Sequence, residues 1–203
     1  EIAEESQHGY DAVVVGRRGK SKLKDLILGG TAGKLIDRLA HVPVWVVGGS
    51  PKPGKVLLAV DGSENAMKAV DYVGRMFEGS TPEVTILHVV RVLGLFQGTY
   101  PEAFHTEINQ KWLADVQERM MPVLEKAKDT LTRAGLDPGR MTISLETGKG
   151  SRAGDIVEQA YLGSYGTIVV GRRGISKIEQ FLMGRVSSKV MQLAKDMAVW
   201  VVN

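Results

Sequence analysis

Two stretches of this sequence set paired arginines between glycines at the end of an apolar run. Gly171, Arg172, Arg173 and Gly174 follow Thr167 to Val170, and nine residues separate Gly174 from a third glycine, Gly184. Gly16, Arg17, Arg18, Gly19 and Gly29 repeat that spacing. Glycines here let the backbone turn tightly and come close to a ligand. Successive backbone N–H groups in such a turn form a nest for an anion. The arginines add charge and forked donors that match phosphate oxygens. The third glycine leads into Arg185, Val186 and Ser187, the start of an expected helix whose first N–H groups would face the same anion. The chemistry on offer is phosphate binding.

Other phosphate loops do not fit. Gly19, Lys20 and Ser21 match the end of a Walker loop, but its leading glycine would fall on Val14, and the second copy has Ile175 in place of the lysine. No G-x-G-x-x-G dinucleotide fingerprint follows the first strand of the longer copy. Asp61, at the head of "DGSEN", suits either capping of the next helix or contact with a ligand. His88 lies in an apolar strand and reads as a packed core residue. His8, His41 and His105 lack metal-ligand spacing. Cysteine is absent, which removes disulfides, thiolate metal sites and a cysteine nucleophile. No metal site and no catalytic residue is assigned, because no nucleophile with an adjacent base accompanies the loop.

The elements that must position these loops come in two copies. With Tyr10 laid on Tyr165, residues 10–47 align with 165–202 without a gap, and about 15 of 38 positions are identical. The run "GGSPKPG" from Gly48 to Gly54 is a flexible connection. The expected organisation is therefore residues 1–49 as the C-terminal part of a first unit, 50–54 as linker, and 55–203 as a complete unit. The first unit is expected to lack its N-terminal two-thirds. In the complete unit, apolar strands at Lys55 to Val60, Glu83 to Val90, Met141 to Glu146, Thr167 to Val170 and Ala198 to Val202 alternate with helices. Continuous apolar strands between helices predict an α/β sandwich around a five-stranded parallel sheet. A long helix from about Thr106 to Arg133 should kink or break at Pro122, and Glu102 to Glu107 fall in the loop expected to serve as a lid. Trp45 and Trp200 occupy equivalent last strands, where core or interface packing is expected.

Net charge is +3, mildly basic and compatible with an anionic ligand, but too weak to point to nucleic acid. No run approaches a membrane span and no signal peptide is visible, so neither a membrane nor a nucleic-acid partner is expected and the location expected is cytoplasmic.

With these motifs in place, "KVLLAVDGSENAMKAV", "VTILHVV", "VVGRRG" and "VWVV", together with Gly-x2-Gly-x9-Gly, the sequence resembles the universal stress protein family. The complete unit resembles it along its whole length and residues 1–49 resemble its last third, as in tandem members. The resemblance implies a flavodoxin-like, Rossmann-like sandwich with strand order 3-2-1-4-5. It implies ATP or AMP at the strand ends, with Mg²⁺ accompanying the nucleotide. Ala59 and Val60 would line the site, Asp61 would lie near the adenosine, and Val89 would meet the adenine through its backbone. Val170, Gly171, Arg172, Arg173 and Gly174 would wrap the phosphates and ribose, and Gly184, Arg185, Val186 and Ser187 would hold the terminal phosphates. Pairing, between domains or in a homodimer, would run through the last strand, here Ala198 to Val202 and Val42 to Val47. Arg185 departs from the family pattern, which has Ser or Thr there; in the first copy Gly30 stands at that position, followed by Thr31. The implied role is a nucleotide-binding module in stress response or signalling that works as a switch. A slow ATP-hydrolysing enzyme and a structural pairing module that binds no nucleotide are the alternatives.

Overall fold

A computed structural model describes residues 1–17, 30–91, 102–148, 150–175 and 183–203. The first segment supplies helix α1 (Ile2–Glu5), strand β1 (Val13–Gly16), helix α2 (Gly30–Arg38) and strand β2 (Val44–Val47). The rest supplies β3 (Lys55–Ala59), α3 (Glu64–Met76), β4 (Glu83–Arg91), α4 (Glu102–Arg133), β5 (Met141–Gly148), α5 (Arg152–Leu162), β6 (Thr167–Gly171), α6 (Arg185–Leu193) and β7 (Ala198–Val202).

Among the described residues the strands form one seven-stranded sheet in the order β1-β2-β7-β6-β3-β4-β5. Numbered within residues 55–203 alone, that is 3-2-1-4-5 read from β5 to β7. All neighbours are parallel except β2 and β7, which run antiparallel. The expected five-stranded parallel sheet is thus the larger part of a mixed sheet, because β2 completes the open edge of β7. An unpaired apolar strand edge is a liability that such pairing removes.

Both faces of the sheet are covered. On one, Leu35, Ile36 and Leu39 join Leu57, Leu87, Ile168 and Val190 in a core shared by the first segment and α5 and α6. On the other, α3 and α4 bury Val70, Val73, Leu124 and Leu131 against Val56, Leu58, Ile86 and Val169. Each such side chain contributes about 1.5–3 kcal/mol when fully buried. The α3 stripe follows from its sequence: Ser63 caps the helix by accepting the Ala66 N–H at 3.2 Å, and Ala66, Ala69, Val70 and Val73 recur on its inner face. Gly74 lets α4 approach, since a Cβ there would lie 2.8 Å from the Ala134 Cβ.

Helix α4 does not break at Pro122. Proline removes one backbone bond, but Leu124, Ala127 and Leu131 are each fully buried beyond it and hold the helix to the core. Glu102 to Glu107 are the first turns of this helix and not a loop. No helix among the described residues is long and apolar enough to cross a membrane.

The antiparallel seam carries a local two-fold relation. Trp45 faces Trp200, Val44 faces Val201 and Val46 faces Val199, and each of these residues is related to another in the set by the same shift that aligns the repeats. The two indoles stack at 3.9 Å between centroids with planes 5° apart. Phe77 covers the other face of Trp200 at 5.5 Å, and Tyr72 meets its edge at 6.1 Å. The Tyr72 hydroxyl accepts from Trp45 Nε1 at 3.1 Å and donates to the Asp11 carbonyl at 2.9 Å. These contacts fasten the first segment to α3.

Candidate functional site

The anion loop begins where β6 ends. Gly171 is the last residue of that strand, beside the N-terminal turn of α3. A Cβ on Gly171 would lie 2.7 Å from the Asn65 carbonyl carbon and 2.8 Å from the Ala66 nitrogen. None of Gly171, Gly174 and Gly184 has a positive φ. Among the described residues they serve close approach instead: Gly171 to the backbone of Asn65 and Ala66, Gly174 to the Asp61 carboxylate, and Gly184 to the Arg172 carbonyl.

Asp61 and Gly174 meet across the site. Asp61 Oδ1 accepts the Ser63 N–H at 3.0 Å, while a Cβ on Gly174 would clash with Oδ2. The same carboxylate thus orders the entry to α3 and borders the loop. Ser63 ties the two together, because its hydroxyl also lies 3.3 Å from the Arg173 carbonyl as donor. Arg173 is half-buried, and its Nε finds no acceptor among the described residues. Glu64, whose carboxyl is held below its ordinary range chiefly by Lys68, also feels the Arg173 charge.

The third glycine is stitched to the loop from the other side. The Gly184 N–H donates to the Arg172 carbonyl at 2.9 Å, and the buried Ser187 hydroxyl reaches the same carbonyl at 2.8 Å. Ser187 is only 3% exposed, and its hydroxyl is committed to the loop backbone. Gly184 is the N-cap of α6 and offers no side-chain cap, which leaves the first N–H groups of that helix for another acceptor. Arg185 and Val186 are exposed on this first turn.

The Arg172 side chain is committed to acceptors within the protein. It is 2% exposed and reaches the first segment. Its Nη1 donates to the carbonyls of Ile36 at 2.7 Å and Leu39 at 2.9 Å and to Asn203 Oδ1 at 3.3 Å, and its Nη2 to Asp37 at 3.2 Å. Burial pulls its pKa down, opposed by Asp37, and arginine stays charged nonetheless. The sequence motif could not reveal this, since three of the four acceptors are backbone carbonyls more than 130 positions away.

Ala59, Val60 and Val89 occupy the ends of β3 and β4, and Ala59 is in register with Val170 on β6. Val60, Val89 and Val170 are buried. Both backbone groups of Val60 are engaged: its N–H donates to Leu87 at 2.8 Å, and its carbonyl accepts from His88 Nδ1 at 2.7 Å. A carbonyl only accepts, so Nδ1 carries the proton. Burial holds the His88 pKa below its ordinary value, against the opposing Val60 bond.

Residues 18–29 and 176–182 lie outside the described residues, among them Arg18, Gly19, Lys20, Ser21 and Gly29 of the first copy. A cavity of about 210 Å³ opens beside Arg17, lined also by Gly16, Gly48, Gly49, Lys195 and Asp196. It lies on the seam, away from Asp61.

The profile of the Universal stress protein family matches residues 1–48 and 53–203. The chain belongs to that family. Universal stress protein YxiE of Bacillus subtilis (strain 168) is 32% identical over 148 residues, covering 69% of this chain and 93% of that protein. A universal stress protein from Archaeoglobus fulgidus DSM 4304 superposes with a TM-score of 0.66 at 20% identity, covering all of this chain. The chain spans 65% of that protein's length. A universal stress protein solved in complex with cAMP superposes with a TM-score of 0.52 at 21% identity over 73% of this chain and 96% of its own.

Two polar residues of this universal stress protein were not marked as site residues by their sequence. Ser63 caps α3 and also reaches the Arg173 carbonyl. Asp155 stands in the first turn of α5, and its Oδ2 is buried without a hydrogen-bond partner among the described residues. Gly148 lies between this carboxylate and Val89, since a Cβ there would clash with Oδ2 and fall 2.9 Å from Val89 Cγ1.

Proposed function

We propose that residues 55–203 bind an adenine nucleotide, ATP or AMP, at the ends of β3, β4 and β6, as a switch with slow turnover at most. The observation that carries this reading is the buried Arg173 Nε, a cationic donor without an acceptor among the described residues, in a loop bordered by Asp61. A buried donor left unpaired costs about 1–3 kcal/mol, which an incoming phosphate oxygen would recover. The N-terminus of α6, with no side-chain cap, supplies further N–H groups and a favourable dipole. Glycine at 171 and 174 supports the reading too, because a side chain at 171 would meet the backbone of Asn65 and Ala66 and one at 174 would displace the Asp61 carboxylate. The residues present fit a nucleotide. They would bind and orient its phosphates, and a Mg²⁺ ion would arrive with the nucleotide.

We further propose that residues 1–49 are the end of a first copy of this unit, joined by a linker at 50–54. The break in the family match between residues 48 and 53 supports that division.

Mass spectrometry of small molecules released from purified protein tests the binding proposal. Wild type is expected to release an adenine nucleotide and Gly174→Val none. If neither releases one, and added ATP gives no thermal shift, the binding proposal fails and the pairing role through β2 and β7 is the reading left.

A further inference from the structure

The first arginine of each G-R-R-G loop makes the same unusual contact with the opposite copy. Helix α2 ends at Arg38 and α6 at Leu193, so Leu39 and Ala194 are the residues that close them. These two are equivalent under the shift of the repeat, as are Arg17 and Arg172. Arg172 donates to the Leu39 carbonyl, and Arg17 Nη2 donates to the Ala194 carbonyl. Each loop arginine therefore caps the last helix of the other copy. Helix C-termini leave carbonyls without partners and carry partial negative charge, so a guanidinium satisfies both needs. The backbone follows the same relation: the Arg172 N–H donates to Val202 at 2.6 Å and the Arg17 N–H to Val47 at 2.8 Å.

In the second copy this contact leads straight into the candidate site. The Arg172 carbonyl is the point on which both Gly184 and Ser187 are hung, and the next residue is Arg173. One residue thus grips the neighbouring copy with its side chain and holds the anion loop with its backbone. We infer that Arg172 is a positioning residue that sets the phosphate loop by gripping the end of α2, so that the site in residues 55–203 depends on the seam between the copies. This rests on the nucleotide proposal for its ligand and on geometry alone for the grip.

Hydrogen exchange and calorimetry on the full chain test it, with Arg172→Lys, Arg17→Lys and Arg173→Ala. Lysine keeps the charge but loses the fork that reaches several carbonyls at once. Arg172→Lys should speed exchange in peptides covering residues 36–42 and 171–175, weaken ATP about tenfold, and leave adenosine within about twofold. Arg173→Ala should weaken ATP without changing exchange at 36–42. Arg17→Lys should speed exchange at 194–197 and leave ATP binding within about twofold. Weaker ATP binding in Arg172→Lys with unchanged exchange at 36–42 would make Arg172 a direct ligand and overturn the inference. Faster exchange at 36–42 with 171–175 unchanged would reduce the contact to packing and overturn it equally. If Arg172→Lys does not fold, the mirror variant decides, and unchanged exchange at 194–197 sinks the grip. If wild type binds no ATP, the nucleotide proposal fails, while the exchange measurements still decide whether the loop is set across the seam.

Discussion

At the scale of single residues, identical letters in the motif have different duties. Arg172 and Arg173 are adjacent, yet one is committed to helix carbonyls and the other keeps an unpaired donor among the described residues. Glycines 171 and 174 differ as well. Gly171 faces rigid backbone, so Gly171→Ala should destabilise the fold by about 1–3 kcal/mol through overpacking, read from urea unfolding. Gly174 is exposed and, among the described residues, faces only the Asp61 side chain, so a substitution there should affect binding far more than stability. His88 gives the pH dependence. Its folded pKa lies below the ordinary value, so the unfolded chain takes up the proton first as pH falls. The associated stability is present above the unfolded pKa of about 6.5 and is lost as pH drops through it toward the folded value. The urea midpoint should therefore fall between about pH 7.5 and about pH 5.5, and fall less in His88→Gln.

At the scale of elements, the loop is held between two helices. Ser63 opens α3 and touches the Arg173 carbonyl, and Ser187 in α6 reaches the Arg172 carbonyl. Ser187→Ala should cost about 1–2 kcal/mol in urea unfolding and weaken ATP binding in the same variant, because a buried carbonyl loses a donor. Helix α4 offers the opposite case. Pro122 is exposed in a helix that continues through it, so Pro122→Ala should raise stability by about 1–3 kcal/mol. A thermal melt that shows no gain would mean that the helix bends there to fit the sheet.

At the scale of the whole molecule, the seam makes one sheet of two copies. Trp200 lies between Trp45 and Phe77 and is 6% exposed, so Trp200→Ala should cost about 3–5 kcal/mol. Trp45→Ala should cost less, since Trp45 is only half-buried; chemical denaturation of the two variants orders them. The sequence by itself determined the repeat, the alternation of strands and helices, the glycine spacing and the family likeness. These are written in local order, in apolar runs, caps and repeated letters that need no knowledge of distant contacts. Only the tertiary structure decided that β2 extends the sheet antiparallel to β7 and that α4 survives its proline. It alone showed what each glycine lies against, and it alone sent Arg172 across the seam while Arg173 kept an unpaired donor among the described residues. Those outcomes depend on which backbone carbonyls and indole faces arrive next to a side chain once the sheet has closed. Backbone acceptors have no letter in the sequence, so a motif can announce an arginine without saying what it will hold.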